Sequence, residues 1–402
     1  MKKYFTVFVL LLTLNLFTYS QTWRQRASLP NPGRSSGIGC AVNGKGYMGL
    51  GQNKDGLYLN DFWEYDSLKN EWTQKSDFPG AGRFEASAYT IKDKIYVCFG
   101  NTTSDKAMND LWEYTPSTDQ WVEKASLPAQ GRYGSRGFVI DGMLYIGTGS
   151  IGSPPYLNDF WMYNPLSDTW VNKADFPGGA RLSATSFEIN GSGYFGCGLS
   201  YSNAPTKDFW KFDPKRNSWS TVAEFPSTEG FSFVSFVVNE IGYIGCAGIS
   251  YPFINTNAFY KYYPKQNKWE YLAADEAPKR RGSNGFSIGN TGYFGTGYTD
   301  NGPLNDLWSF KFGSTEPVNN KPEEKVHLYP SPADKEISVW IENFTTTSSI
   351  SFSLYDDIGR LIIAQTIVDE KTSINIDHLS RAIYFARVNL NGQNFVYKVF
   401  KY

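Results

Sequence analysis

The sequence predicts an all-β protein: a closed ring of six four-stranded repeats followed by a small β-sandwich. Three observations carry that expectation. Aromatic residues make up 17% of the chain and charged residues only 19%. Short aromatic runs are separated by Gly, Pro, Asn and Asp, a strand-and-turn composition. The segment Asn158–Trp170 recurs, its first Trp position falling at Trp63, Trp112, Trp161, Trp210, Tyr260 and Trp308, at intervals of 48 to 50 residues. A fixed period of that length marks a repeat architecture. After residue 325 the period stops and a different pattern of alternating strands begins.

The chain opens on a processing segment. Lys2 and Lys3 precede a mostly apolar run from Tyr4 to Phe17, and Thr18 and Ser20 supply small residues before Gln21, the pattern of a secretory signal peptide. The run is shorter than the ~20 residues a spanning helix needs, so residues 1–20 are expected to be removed and no membrane span is expected. No Cys follows the run, which argues against a lipid-anchored start. Cys40, Cys98, Cys197 and Cys246 are too few for a disulfide framework in a chain of this size, and buried thiols are expected.

Each repeat shows four strand signals, a to d. Strand a starts after an Arg and ends on a polar turn: Arg34 to Asn43-Gly44, Arg132 to Asp141-Gly142, Arg181 to Asn190-Gly191. Asn-Gly and Asp-Gly tolerate the positive φ of tight hairpins. Strand b carries Tyr47, Tyr96, Tyr145, Tyr194, Tyr243 and Tyr293 among glycines, which permit close backbone approach. Strand c is the Asp-Phe-Trp-x-Tyr segment. Strand d begins at Trp23, Trp72, Trp121, Trp170, Trp219 and Trp269, and Pro30, Pro79, Pro128, Pro177 and Pro226 end it in five copies. The order is offset: the chain begins with a lone strand d at Trp23, and the last strand c, at Asp306–Phe310, has no d after it. The first strand therefore completes the last sheet, which closes the ring and leaves no free edge.

These features resemble kelch repeats: a Gly-rich strand, an aromatic strand ending in Tyr-x-Pro, a Trp about half a dozen residues on, then Pro and Arg. The resemblance covers Trp23 to Phe312 and implies a six-bladed kelch-type β-propeller over residues 21–312. Two departures stand out: Gly-x-Gly, or Cys98-Phe-Gly100, replaces the family's paired Gly, and Tyr260 replaces Trp in the fifth copy. Residues 313–325 (GSTEPVNNKPEEK) read as a linker. Residues 326–402 pair up as hairpins, one around Asp357-Ile-Gly359 and one around Asn391-Gly392. The opening Tyr329-Pro-Ser-Pro-Ala333, then Leu354-Tyr-Asp-x-x-Gly359-Arg, Leu379 through Ile383-Tyr384, and the Lys-Val-Phe-Lys401 ending resemble the C-terminal sorting domain of proteins exported by the type IX secretion system of Bacteroidetes. Ser331 and Ala382 stand where Asn and Gly are usual. The resemblance implies that the secretion machinery is a partner and that the protein is secreted or held at the cell surface.

Net charge is −1, so nothing marks a nucleic-acid partner. The histidines, His327 and His378, both fall in the terminal module. A Ser-His-Asp or Cys-His site in the ring is thereby excluded in its usual form, as is an imidazole-based copper or zinc site. No glycine-rich phosphate loop precedes a helix, and no cofactor is expected. A monomeric propeller is expected.

Topology then directs attention to one face. The a–b and c–d turns are uniform. The b–c segments on the opposite face vary freely, and Tyr58, Tyr156, Tyr201, Tyr251 and Tyr298 lie within them. Variable loops on a repeated scaffold are the usual place for binding. The same face receives Arg34, Arg83, Arg132, Arg181 and Arg280, with Gly230 in the fifth copy. The kelch resemblance implies that strand a is innermost, so these arginines are expected to ring the channel mouth. They read either as a cationic site for a carboxylate or acidic sugar or as internal ties that lock each blade. Glu85, Arg136 and Asn284 break the repeat just after the Arg; Glu85 reads as a general base, a sugar-hydroxyl acceptor or an ion-pair partner. The tyrosines read as sugar-stacking platforms or as packing between loops. The expected function is an exported kelch propeller that binds a glycan or protein through this face. The alternative is a sugar enzyme like the sialic-acid mutarotases found among six-bladed kelch propellers.

Overall fold

The structure is a computed structural model. It describes residues 23–30, 32–102, 104–152, 156–227, 230–249, 254–274, 276–311, 326–329, 333–341, 350–356, 360–390 and 393–401. Residues 1–20, expected to be a signal peptide, Tyr251, the 313–325 segment and the two terminal-module turns lie outside these residues. The chain divides into two compact units, 1–313 and 314–402.

Among the described residues the first unit contains six four-stranded antiparallel sheets. The first sheet runs Ile38–Val42, Lys45–Gly49, Phe62–Asp66 and Glu71–Lys75, in strand order a-b-c-d. The other five keep that order. Their a strands are Ser87–Ile91, Arg136–Ile140, Thr185–Ile189, Val234–Val238 and Asn284–Ile288. Each a strand touches the a strands of its two neighbours, and the sixth touches the first, so the ring closes. The sixth sheet is completed by Trp23–Arg26, whose Trp23 pairs with Phe310 on Leu307–Lys311. Trp23 is buried against Phe259, Phe294 and Phe310, at centroid distances of 4.7, 5.1 and 4.7 Å.

Neighbouring sheets are held by repeated ties. Each strand-d Trp donates Nε1 to a carbonyl of the sheet before it: Trp72 to Ala27, Trp121 to Ser76, Trp170 to Ala125, Trp219 to Ala174, Trp269 to Ala223 and Trp23 to Ala273, at 2.7 to 3.0 Å. At the centre, hydroxyls cover exposed carbonyls of the adjacent a strand. Ser87 donates to Ser135 O, Thr90 to Ala41 O, Ser186 to Gly137 O and Ser235 to Ser186 O. An innermost strand is an edge strand, and these hydroxyls satisfy carbonyls that would otherwise face only the channel. At the closing seam the backbones approach closely: a Cβ on Gly39 would lie 3.0 Å from both N and O of Gly285.

One element differs from its expected form. The stretch after each Arg is not one continuous strand. Arg34–Ser35 pairs with Gln52–Asn53 in a short outer ladder, and the chain then turns at Ser36 (φ 53°) before entering Ile38–Val42. Positive φ recurs at Glu85, Gly134, Ser183, Ser232 and Gly282.

The second unit packs a three-stranded sheet (Val326–Tyr329, Glu336–Ile341, Lys371–Asn375) with a four-stranded one (Leu361–Thr366, Ile350–Tyr355, Ile383–Leu390, Gln393–Phe400). They share a core that includes Ile337, Val339, Phe352, Leu354, Ile374 and Val388. Alternate residues of the inner faces build that core, which makes the unit a β-sandwich. The cysteines are free and buried. The described residues contain no helix long and apolar enough to cross a membrane.

Candidate functional site

The five repeated arginines are fully buried, with side-chain exposures of 0 to 2%. Each pairs with the Asp that opens strand c of its own sheet. Arg34 holds Asp61 at 2.5 and 2.7 Å, Arg132 holds Asp159 at 2.6 and 2.9 Å, and Arg280 holds Asp306 at 2.5 and 2.6 Å, all bidentate. Arg83 meets Asp110 and Arg181 meets Asp208, both at 2.7 Å. The same guanidiniums donate to the carbonyls of Leu50, Phe99, Thr148, Cys197 and Thr296, residues held at positive φ at the end of strand b. The strand-c Trp completes the clamp: Trp63, Trp112, Trp161, Trp210 and Trp308 each donate Nε1 to the same Asp.

Of the two readings of these arginines, the geometry fits the internal tie. Their charges are matched inside each blade, and they tie strand b to strand c rather than face the axis. The fifth sheet makes the same point by omission. It has Gly230 for Arg, Ala258 for Asp and Tyr260 for Trp, so the three members are replaced together. Apolar contacts fill the space: Phe233 Cζ lies 2.3 Å from where a Gly230 Cβ would sit, and Phe225 packs on Phe233 and Tyr260 at 5.2 and 4.7 Å. Exchanging a buried ion pair for packed apolar groups carries little penalty when both partners go.

What does meet at the axis is backbone. The positive-φ residues form a closed circuit of six hydrogen bonds. Ser36 N–H donates to Gly282 O, Glu85 to Ser36, Gly134 to Glu85, Ser183 to Gly134, Ser232 to Ser183 and Gly282 to Ser232, at 2.7 to 3.2 Å. The left-handed conformation turns each N–H toward one neighbour and each C=O toward the other. The ring narrows the loop-face end of a central cavity of about 470 Å³ lined by all six a strands. Glu85 is the one acidic residue of the circuit and is 7% exposed. Its Oε2 accepts from Ser183 Oγ at 3.0 Å and faces Arg136 Nη2 at 3.6 Å. Oε1 has no hydrogen-bond partner among the described residues. Gly134 makes room for this reach: at φ +66°, its Cβ would stand 3.0 Å from Glu85 Oε2 and 2.4 Å from Leu182 Cδ1.

Glu85 and Arg136 are thus brought together, with Arg136 also donating to Ser135 O and lining the cavity. Asn284 lines the same cavity but is buried and donates to Thr296 Oγ1 at 2.9 Å. Tyr156 is buried and donates its hydroxyl to Asn203 Oδ1, so it packs between loops. Tyr201 is 61% exposed. The residues just after the Arg position escaped the sequence reading: Ser35, Phe84, Tyr133, Leu182, Phe231 and Arg281. They border the peptide ring directly. Phe84 packs on Tyr58 at 4.9 Å and on Tyr133 at 5.7 Å, and Arg281 binds Asn255 Oδ1 and lies over Tyr298. Aligning the repeats on the Arg exposes this position as variable, a signal available in the sequence.

The KLHDC2/KLHL20/DRC7 Kelch-repeats domain model matches residues 7–178 and again residues 77–244. The chain belongs to the kelch-repeat family. The Secretion system C-terminal sorting domain model matches residues 327–401, nearly the whole second unit, and marks the kelch propeller for export by type IX secretion to the surface or medium. A solved structure of YjhT is similar over 70% of this chain and 96% of its own length, with a TM-score of 0.61 and 16% identity, a likeness of fold. No curated protein matches the chain.

Proposed function

We propose that the exported propeller is a binding module that takes a glycan or protein ligand on its d–a/b–c loop face, around the peptide ring. The observation that carries this reading is where chain-specific chemistry collects. The clamps and ties repeat blade by blade, whereas Glu85, Arg136, Phe84, Tyr133 and Arg281 stand at positions that vary from blade to blade around one peptide ring. A half-engaged carboxylate beside aromatic rings suits hydroxyl and ring-face recognition. A glycan array and a pull-down with the mature chain test it. The expected result is a ligand whose binding falls at least tenfold in Glu85→Gln/Tyr133→Ser. Retention of binding after that exchange, or after replacement of the b–c loops, contradicts it.

A second reading rests on Glu85 alone. A nearly buried carboxylate with one unpartnered oxygen, next to Arg136 and Ser183, has the components of an acid/base site for sugar ring opening. The five clamped arginines supply no further cation, so this site would act on one carboxylate and one guanidinium. Anomerisation of free sugars followed by NMR decides it. Acceleration that is lost in Glu85→Gln supports the enzyme, and an unchanged rate with added protein removes it.

A further inference from the structure

The four-stranded sheet of the second unit buries one face in the sandwich core; its other face carries polar side chains such as Ser351, Ser353 and Asn389 and, at one end, an apolar row where a solvated face is expected to be polar. Strand register puts Leu361 opposite Tyr355, Tyr355 opposite Phe385, and Phe385 opposite Lys398; Ile383 stands opposite Phe400. Leu361, Ile383, Phe385 and Phe400 are 52, 38, 39 and 42% exposed. The apolar row thus crosses all four strands at one end of the sheet, a contiguous arrangement rather than scattered single residues. Its charges are of one sign. Arg387 lies over the Tyr355 ring at 5.2 Å and Lys398 over the Phe400 ring at 4.8 Å, so both cations are held on the row by its own aromatics. No described side chain on this face is acidic, and neighbouring Asp356 is paired with Arg360 at 3.0 Å.

We propose that this row is the surface by which the export machinery grips the second unit, and that the machinery presents an apolar patch rimmed by carboxylates. The proposal rests on the sorting role of the unit and goes beyond it by naming the face and the chemistry of its complement. Aromatic anchors within a basic rim are the composition of an interface core, and steering between unlike charges sets encounter and register. The row brings rings and cations, which an apolar surface edged by carboxylates would complement.

The test uses the full chain in a host with type IX secretion and compares protein in the medium and at the cell surface with protein in the periplasm. Phe385→Ser/Phe400→Ser and Arg387→Glu/Lys398→Glu are each expected to lower export at least tenfold and to accumulate folded protein in the periplasm. Val368→Ser, at an exposed apolar position outside the row (68% exposed), is expected to export normally. Thermal melts of the purified variants verify folding; the charge reversal changes only exposed side chains and stands if the aromatic variant does not fold. Normal export of both row variants overturns the proposal. Export of the charge reversal with retention of the aromatic variant overturns the carboxylate rim. Normal export after deletion of 326–402 overturns the sorting role itself, a separate failure.

Discussion

Removing Asp61 should damage the propeller more than removing Asp61 and Arg34 together. In the native protein Arg34 is fully buried and bidentate on Asp61, at 2.5 and 2.7 Å, and Trp63 Nε1 donates to the same carboxylate at 2.7 Å. Asp61→Ala leaves a buried guanidinium whose remaining partner is the Leu50 carbonyl at 3.2 Å. Breaking a buried pair from one side costs about 3–5 kcal/mol, and the orphaned indole N–H adds about 1 kcal/mol. At roughly 2 °C per kcal/mol for a propeller of this size, Tm should fall by about 8–12 °C. Arg34→Leu/Asp61→Ala removes both charges and imitates the fifth sheet, where Gly230, Ala258 and Tyr260 replace the clamp. It should cost less than Asp61→Ala alone. Intrinsic fluorescence is the direct assay, because 11 of the 12 tryptophans lie in the first unit. A loss of under about 1 kcal/mol in Asp61→Ala, as for an exposed ion pair, would refute the clamp, as would a double-variant loss equal to the two single losses combined.

Other outcomes follow from the same geometry. Burial pushes the thiols of Cys40 and Cys246 up to about 12, and those of Cys98 and Cys197 further; none should react with a disulfide reagent at pH 8 until the protein is unfolded, and a native thiol reacting at the rate of free cysteine contradicts this. Gly134→Ala meets Leu182 and a left-handed backbone, whereas Gly142→Ala, at φ +75°, meets open space; the first should destabilise by clearly more than the ~1–2 kcal/mol of left-handed strain alone, and equal losses would show that the ring is not tightly packed. Trp23→Ala should cost about 3–5 kcal/mol by loosening the closing sheet, measured by denaturant midpoint. Hydrogen bonds from Lys45, together with the N–H groups of Lys69 and Leu68, hold the Asp66 carboxyl down at about 2. Because its folded value lies below the unfolded one, its contribution is complete above the ordinary carboxylate range and fades as pH falls through about 2. Lys45→Met should raise the Asp66 pKa in NMR titration.

The ring and its closure were legible because two periods overlap in the sequence: alternation within each strand, and a Trp-to-Trp interval near 49 residues between sheets. The lone Trp23 strand could be placed only by counting, and the structure pairs it where the count requires. The arginines were ambiguous because a residue repeated with the scaffold looks the same whether it faces the axis or the blade interior. Their meaning lay in a comparison across the chain: Arg, Asp and Trp vanish together in the fifth sheet. The peptide circuit was not legible, since it is made of N–H and C=O groups from six distant residues as different as Glu85 and Gly134. Their shared property is a positive φ that composition does not report. Phe84, Tyr133 and Arg281 were hidden for a simpler reason: each directly follows an Arg that repeats with the scaffold, and the side chain at their position differs from blade to blade.

Hydrogen–deuterium exchange on the exported protein, with and without the ligand recovered by pull-down or array, tests the central claim most directly. The account expects protection in the segments around Phe84–Glu85, Tyr133–Arg136 and Arg281 and in the b–c loops, with the a–b hairpins and c–d turns unchanged. Protection confined to the a–b hairpins and c–d turns would place the site on the other face and contradict it.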